Sequence, residues 1–174
     1  MKSQLSHYQS NFKKRNFPLV LILDEVAGDA NIGSIFRLAD AFGVEKIIFC
    51  GTPPNFRSNR LKKTARNTHE YVAFEMFETT LQALEYYREQ NYSIFALEIT
   101  HNSLALETAN FGEHKAIALV IGNEAFGIQE NILSLCHKTL HINMFGNNSS
   151  MNVAQAAAIA LYEITKSINT LDEK

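Results

Sequence analysis

Residues 17–24 read FPLVLILD, a near-continuous apolar run. A strand with one wet face alternates apolar and polar residues, so an unbroken run is what a strand buried on both faces requires. The rest of the chain alternates strand-like and helix-like segments. Asn31–Phe42 predicts a helix, with Ile32, Ile35, Phe36 and Ala39 at helical spacing and Gly43 as its stop. A short strand follows over Lys46–Cys50, then a loop over Gly51–Asn59 containing Pro53 and Pro54. Tyr71–Phe77 reads as strand and Thr79–Gln90 as helix, with Leu81, Leu84 and Tyr87 as a core stripe. Tyr92–Ile99 and Lys115–Ile121 are strands, Gln129–Leu135 a short helix, Thr139–Met144 a last strand and Ser150–Ser167 the longest helix. This order predicts an α/β fold, a mostly parallel sheet with helices on both faces. Ligands in such sheets bind beyond the carboxyl ends of the strands.

A chain of 174 residues suits one domain, 1–174, with a sizeable core. Residues 1–16 contain a short helix-like segment that reads as an appendage. No apolar run approaches the roughly 20 residues needed to span a bilayer, and MKSQLSHYQSNFKKR has no apolar signal region. Cys50 and Cys136 form no CxxC and read as reduced structural cysteines. The expectation is a cytoplasmic protein without membrane attachment. Its six histidines show no ligand spacing, so no metal is expected.

The net charge of −2 does not itself point to nucleic acid, but its distribution does. From Lys46 to His69 there is no acidic residue, while Arg57, Arg60, Lys62, Lys63 and Arg66 all fall there. From Glu70 to Glu113 eight carboxylates face Arg88 alone. A basic segment on an acidic body suits phosphate contacts, and a solvated face is the plainer reading.

Three strand-to-loop junctions carry the chemistry. In the first, Asp29–Arg37 (DANIGSIFR), Asn31 is placed to cap a helix, Gly33 permits close approach, and Arg37 either pairs with Asp40 or serves a ligand. In the second, Gly122–Gly127 (GNEAFG), Glu124 sits on a turn whose glycines leave backbone N–H groups open, and it could hold a cation such as Arg37. In the third, His141–Val153 (HINMFGNNSSMNV), a polar loop leads into an alanine-rich helix, and Ser149 or Ser150 suits its cap. Ala154, Ala156, Ala157, Ala158 and Ala160 make a thin surface for the domain's own sheet or for a partner.

NxGxxxR, GNExxG and IxMxG…SMNV, in this order from about Phe17 to Ser167, resemble the motifs of the SpoU/TrmH branch of the SPOUT methyltransferases. Asn143 and Ala154 depart from the pattern, standing where proline and serine are usual. The resemblance implies a C-terminal deep trefoil knot and a homodimer packed partly through the terminal helix. It also implies 2'-O-methylation of ribose in tRNA or rRNA from S-adenosyl-L-methionine. Its implied cofactor positions are Leu97, Gly122, Asn123, Gly127, Ile142, Met144 and Met151, and its implied catalytic positions are Arg37, Glu124, Ser150 and Asn152. Asn31 joins Arg57, Arg60, Lys62, Lys63 and Arg66 on the expected RNA side. Ser150 and Asn152 are expected to position Arg37 and the cofactor loop. The family gives Arg37 the role of base, yet a free guanidinium titrates only at about 12.5–13.8, so a bidentate grip on phosphate stands beside that role. tRNA is favoured over rRNA. A catalytically silent RNA-binding protein of this fold is an alternative. A dinucleotide enzyme is disfavoured, because no GxGxxG or P-loop appears.

Overall fold

A computed structural model describes residues 12–172. Its strands are β1 (Phe17–Asp24), β2 (Val44–Cys50), β3 (Phe74–Phe77), β4 (Ser93–Leu97), β5 (Leu104–Ala105), β6 (Ile117–Gly122) and β7 (Lys138–His141). They form one seven-stranded sheet in the order β3-β2-β1-β6-β4-β7-β5, every pairing parallel. The helices are α1 (Asp29–Ala41), α2 (Asn59–Ala65), α3 (Thr80–Glu89), α4 (Glu130–Leu133) and α5 (Val153–Asp172).

The sheet divides the core into two. Leu19, Leu21 and Leu23 of β1 pack with residues of α1, α2 and α5, whereas Val20 and Ile22 pack with residues of α3 and α4. A strand whose alternate residues both meet helices has no position for a polar side chain, which is why FPLVLILD is unbroken. Burying each such side chain contributes roughly 1.5–3 kcal/mol before chain entropy is set against it.

Several elements differ from the sequence-based expectation. Asn59–Ala65 is a helix, capped by Ser58, whose hydroxyl accepts the N–H groups of Arg60 and Leu61 at 3.2 and 3.5 Å. α2 crosses α1 so closely that a Cβ on Gly33 would lie 2.4 Å from the Leu61 carbonyl oxygen. β3 starts at Phe74, because Thr68–Glu70 form a 3-10 turn whose Thr68 carbonyl takes the Val72 N–H. Leu81 is exposed, and α3 buries Thr80, Ala83, Leu84 and Tyr87 instead. β5 is a strand that the sequence did not signal. Ala157 and Ala160 are fully buried in the core, so the thin face of α5 serves the domain's own sheet.

Within the helical extension expected over residues 1–16, residues 1–11 lie outside the described residues, and Phe12–Asn16 carry no helix. Among the described residues no helix is long and apolar enough to cross a membrane. Neither cysteine is bonded, and burial pushes both thiols up to about 12, as befits structural cysteines.

Candidate active site

The carboxyl ends of β4, β6 and β7 meet the first turns of α1 and α5 around a cavity of about 550 Å³. That volume suits a small organic ligand. Leu97, Gly122, Asn123, Gly127, Ile142, Met144 and Met151 line it, as do Asn31, Glu124, Ser150 and Asn152. The three sequence junctions therefore converge on one site.

A hydrogen-bond chain joins them. The Asn152 amide donates to Asn31 Oδ1 at 2.8 Å, and the Asn31 amide donates to Glu124 Oε1 at 2.7 Å. Asn152 Oδ1 in turn accepts the Ala154 and Gln155 N–H groups at 3.0 and 3.3 Å, so Asn152 caps α5. Two expectations change here. α1 begins at Asp29, leaving Asn31 inside its first turn as a bridge rather than at the cap, and Asn152 takes the capping place expected of Ser149 or Ser150. Asn31, expected on the RNA side, has its amide committed within the protein. Glu124 receives that amide in place of Arg37.

The turn after β6 is built by Asn123. Its Oδ1 accepts the Ala125 and Phe126 N–H groups at 2.8 and 3.2 Å, and its amide donates to the Glu25 carbonyl at 2.8 Å. Asn123 thus shapes the wall with its side chain. A Cβ on Gly122 would come within 2.7 Å of the Gly127 carbonyl carbon and 2.8 Å of the Ile128 nitrogen. Gly122 is glycine because the loop folds back on it, whatever the ligand. Gly127 has φ +63°, which favours glycine, and its missing Cβ leaves room for the Glu98 carboxylate.

Glu98 is the site residue that the sequence reading missed. It lines the cavity one residue beyond β4. Reading the strand through Ile99 hid it; the signal was a lone carboxylate ending the apolar run IFAL. His141 also lines the cavity, its Nδ1 paired with Ser103 Oγ at 3.0 Å. The lining thus holds two carboxylates, Glu98 and Glu124, and neither lysine nor arginine.

Residues 145–150 form the exposed rim, and Ser150 contacts Asn148. Asn143 donates to Glu107 Oε1 at 2.7 Å, which anchors the loop where the resemblance expected proline. The Glu107 carboxyl is held below the usual range, by its own backbone N–H first and by Asn143 second. Ala154 is buried against the core at the start of α5. Arg37 stands apart. It is exposed, lies outside the cavity lining, and makes no hydrogen bond or ion pair among the described residues. Neither Glu124, Ser150 nor Asn152 positions it. Arg37 lies six residues beyond Asn31, about 9 Å along α1 and roughly 120° round it. Arg57, Arg60, Lys62, Lys63 and Arg66 are all exposed, on or beside α2. Among the described residues no cluster suits a metal ion.

The model of the SpoU rRNA Methylase family matches residues 18–162. The chain belongs to this family. It is 25% identical to the tRNA (guanosine(18)-2'-O)-methyltransferase of Aquifex aeolicus over 163 residues, covering 94% of this chain and 76% of that one. It is 30% identical to the 23S rRNA (guanosine-2'-O-)-methyltransferase RlmB of Blochmanniella floridana over 158 residues, covering 88% of this chain but 59% of the relative. The chain thus spans between about three fifths and three quarters of these relatives' length. The crystal structure of the A. aeolicus TrmH/SpoU tRNA modifying enzyme superposes with a TM-score of 0.82 at 25% identity, covering 91% of this chain and 79% of that one. An AdoMet-bound rRNA methyltransferase from Sinorhizobium meliloti shares the fold with a TM-score of 0.80 at 22% identity, covering 90% and 59%.

Proposed function

We propose that this chain methylates a ribose 2'-hydroxyl in structured RNA, with S-adenosyl-L-methionine as methyl donor and tRNA as the RNA class. The observation that carries the reading is the Asn152–Asn31–Glu124 chain, which holds the family's three motifs together at one cavity. The donor fits what is there. The cavity is large enough for a folded nucleoside, its floor is apolar around Leu97 and Ile121, and its carboxylates suit a ligand carrying positive charge. The N–H groups of Ala125, Phe126 and Gly127, expected to stay open, are taken by Asn123, so backbone groups along 142–151 would hold it. When bound, the cofactor supplies a methyl group on a sulfonium, whose departure from sulfur leaves a neutral thioether.

The chain's own task is then alignment, with the hydroxyl proton released to solvent at the exposed rim of residues 145–150. Alignment contributes several kcal/mol, with about 7–11 as the ceiling seen in model reactions. Glu124 and Asn31 fix the wall between α1 and the turn after β6. Arginine keeps its charge in proteins, and the unpaired, exposed Arg37 on α1, the helix whose first turn borders the cavity, is suited to grip the phosphate flanking the target ribose.

The tRNA reading is supported by the A. aeolicus relative, whose alignment covers more of both chains. A second reading, rRNA, is favoured by the RlmB relatives, at 30 and 31% identity. Two further proposals follow the family. β7 lies between β4 and β5 in the sheet while the chain returns to α5 on the α1 face, which supports a C-terminal knot. Ile159 and Tyr162 are exposed on α5, which supports a homodimer through that face. A cytoplasmic site of action suits the two free thiols. The decisive experiment offers the protein labelled S-adenosylmethionine with unmodified tRNA and rRNA and locates 2'-O-methylnucleosides by mass spectrometry. Wild type should modify tRNA and Arg37→Ala should not, with S-adenosylhomocysteine affinity unchanged in both. No methyl transfer to either RNA by a protein that binds the cofactor would favour the silent RNA-binding alternative.

A further inference from the structure

We infer that Glu98 recognises the ribose hydroxyls of the bound cofactor and so restricts the pocket to ribonucleosides. This rests on the methyl-donor reading above. Glu98 leaves β4 with its own N–H bonded to the Leu140 carbonyl at 2.9 Å, which keeps it at the edge of the sheet. Its carboxylate reaches across the cavity floor. Oε1 accepts the Ile99 N–H at 2.9 Å and Oε2 accepts the Ile128 N–H at 3.0 Å. A Cβ on Gly127 would lie 2.5 Å from Oε2, so the carboxylate is seated against a backbone that only glycine leaves open.

Two neutral backbone donors do not use up a carboxylate. Each oxygen offers two lone-pair sites, and each has one partner among the described residues. No lysine or arginine lines the cavity to take the remainder. The free acceptors border the ligand space, where a donor from the ligand completes them. Both oxygens are pinned, so the carboxylate cannot rotate to suit an arbitrary partner. That geometry matters for a vicinal diol, whose two O–H donors meet the two oxygens of one fixed carboxylate, as an acidic residue does for the ribose of dinucleotides. An ammonium group makes no such demand and is equally served by the exposed Glu124.

The test uses isothermal titration of the full chain with 5'-methylthioadenosine, which lacks the amino-acid end of the cofactor, and with its 2'-deoxy form. Wild type should bind the 2'-deoxy form about ten-fold to hundred-fold more weakly, as expected for a hydrogen bond to a charged group. Glu98→Gln, which keeps an acceptor for Ile128, should lose most of that discrimination while melting near wild type. Equal binding of both nucleosides by wild type would overturn the inference without any variant. Undiminished discrimination in Glu98→Gln would overturn it too, and would leave Glu98 a strut between β4 and the 122–128 loop. Separately, a wild-type protein that bound neither methylthioadenosine nor S-adenosylhomocysteine would bring down the cofactor reading itself.

Discussion

Asn31 uses both ends of its amide, accepting from Asn152 and donating to Glu124. Asn31→Asp keeps the shape, loses the donor and sets a second carboxylate against Glu124. Methyl transfer should fall at least about ten-fold and stability by about 1–3 kcal/mol, the cost of polar partners left unmatched. Initial rates and thermal melts check this, and a variant with wild-type rate and midpoint would remove Asn31 from the site. The sequence showed an asparagine at a helix start but could not separate a cap from a bridge, because capping and bridging ask the same of an amide. His114 supports a second prediction. Its Nδ1 meets Ser93 Oγ at 2.7 Å and its ring lies 5.2 Å from that of His137. Burial, then His137, lowers its pKa below the ordinary 6.5, with Lys138 adding to this and Glu113 opposing it. The unfolded chain therefore takes up this proton at higher pH than the folded one. Stability is full above the ordinary histidine value, and it declines as pH falls through that value until the lower folded value is reached. Over about pH 7.5 to 5.5 the melting temperature of wild type should drop further than that of His114→Gln. Parallel curves would show that His114 contributes nothing to the pH dependence.

At the level of elements, α1 and α2 meet through Gly33, where an added Cβ would come 2.1 Å from Thr64 Oγ1 and 2.4 Å from the Leu61 carbonyl oxygen. Backbone cannot yield as a flexible side-chain tip can, so Gly33→Ala should destabilise the fold by about 1–3 kcal/mol by overpacking. Gly146→Ala meets nothing within 4 Å and should change stability by less than about 0.5 kcal/mol. Denaturant unfolding of the pair tests the crossing, and equal midpoints would mean that the helices simply move apart. The legibility of the elements follows the same physics. β1 was readable because both of its faces are buried, whereas α2 was not. It is seven residues long and buries only Leu61 and Ala65, too few positions to show a period, and two prolines precede it. The cavity positions Leu97, Gly122 and Met144 came from the family resemblance, and each lies at or just beyond the end of a strand. Glu98 was lost because a strand end shifted by two residues turned a wall carboxylate into a strand residue. The alanines of α5 looked ready for a partner, and only the packing shows Ala157 and Ala160 inside while Ile159 and Tyr162 stay outside.

Over the whole molecule, charge is segregated by segment. The carboxylate-free stretch from Lys46 to His69 ends in α2, and the acidic stretch from Glu70 to Glu113 holds β3, α3 and β4. A disordered basic loop would lose entropy on binding RNA. Here Lys62 and Lys63 sit on a capped helix packed against α1, the helix that carries Arg37, so the backbone that carries these cations is ordered without RNA. A preorganised patch binds with a smaller ordering cost than a loop that must fold. Each phosphate contact also releases counterions, giving a log–log slope of affinity against salt of about −0.7 per contact on single strands. Reversing Lys62 and Lys63 to glutamate should weaken RNA binding and make the slope shallower by roughly 1.4 if both touch phosphate. It should leave S-adenosylhomocysteine binding unchanged, because neither residue lines the cavity. Filter binding across a salt series measures both quantities. An unchanged slope and affinity would mark the patch as a solvated face, and docking would then fall to Arg37 and to Lys13, Lys14 and Arg15 at the start of the described residues.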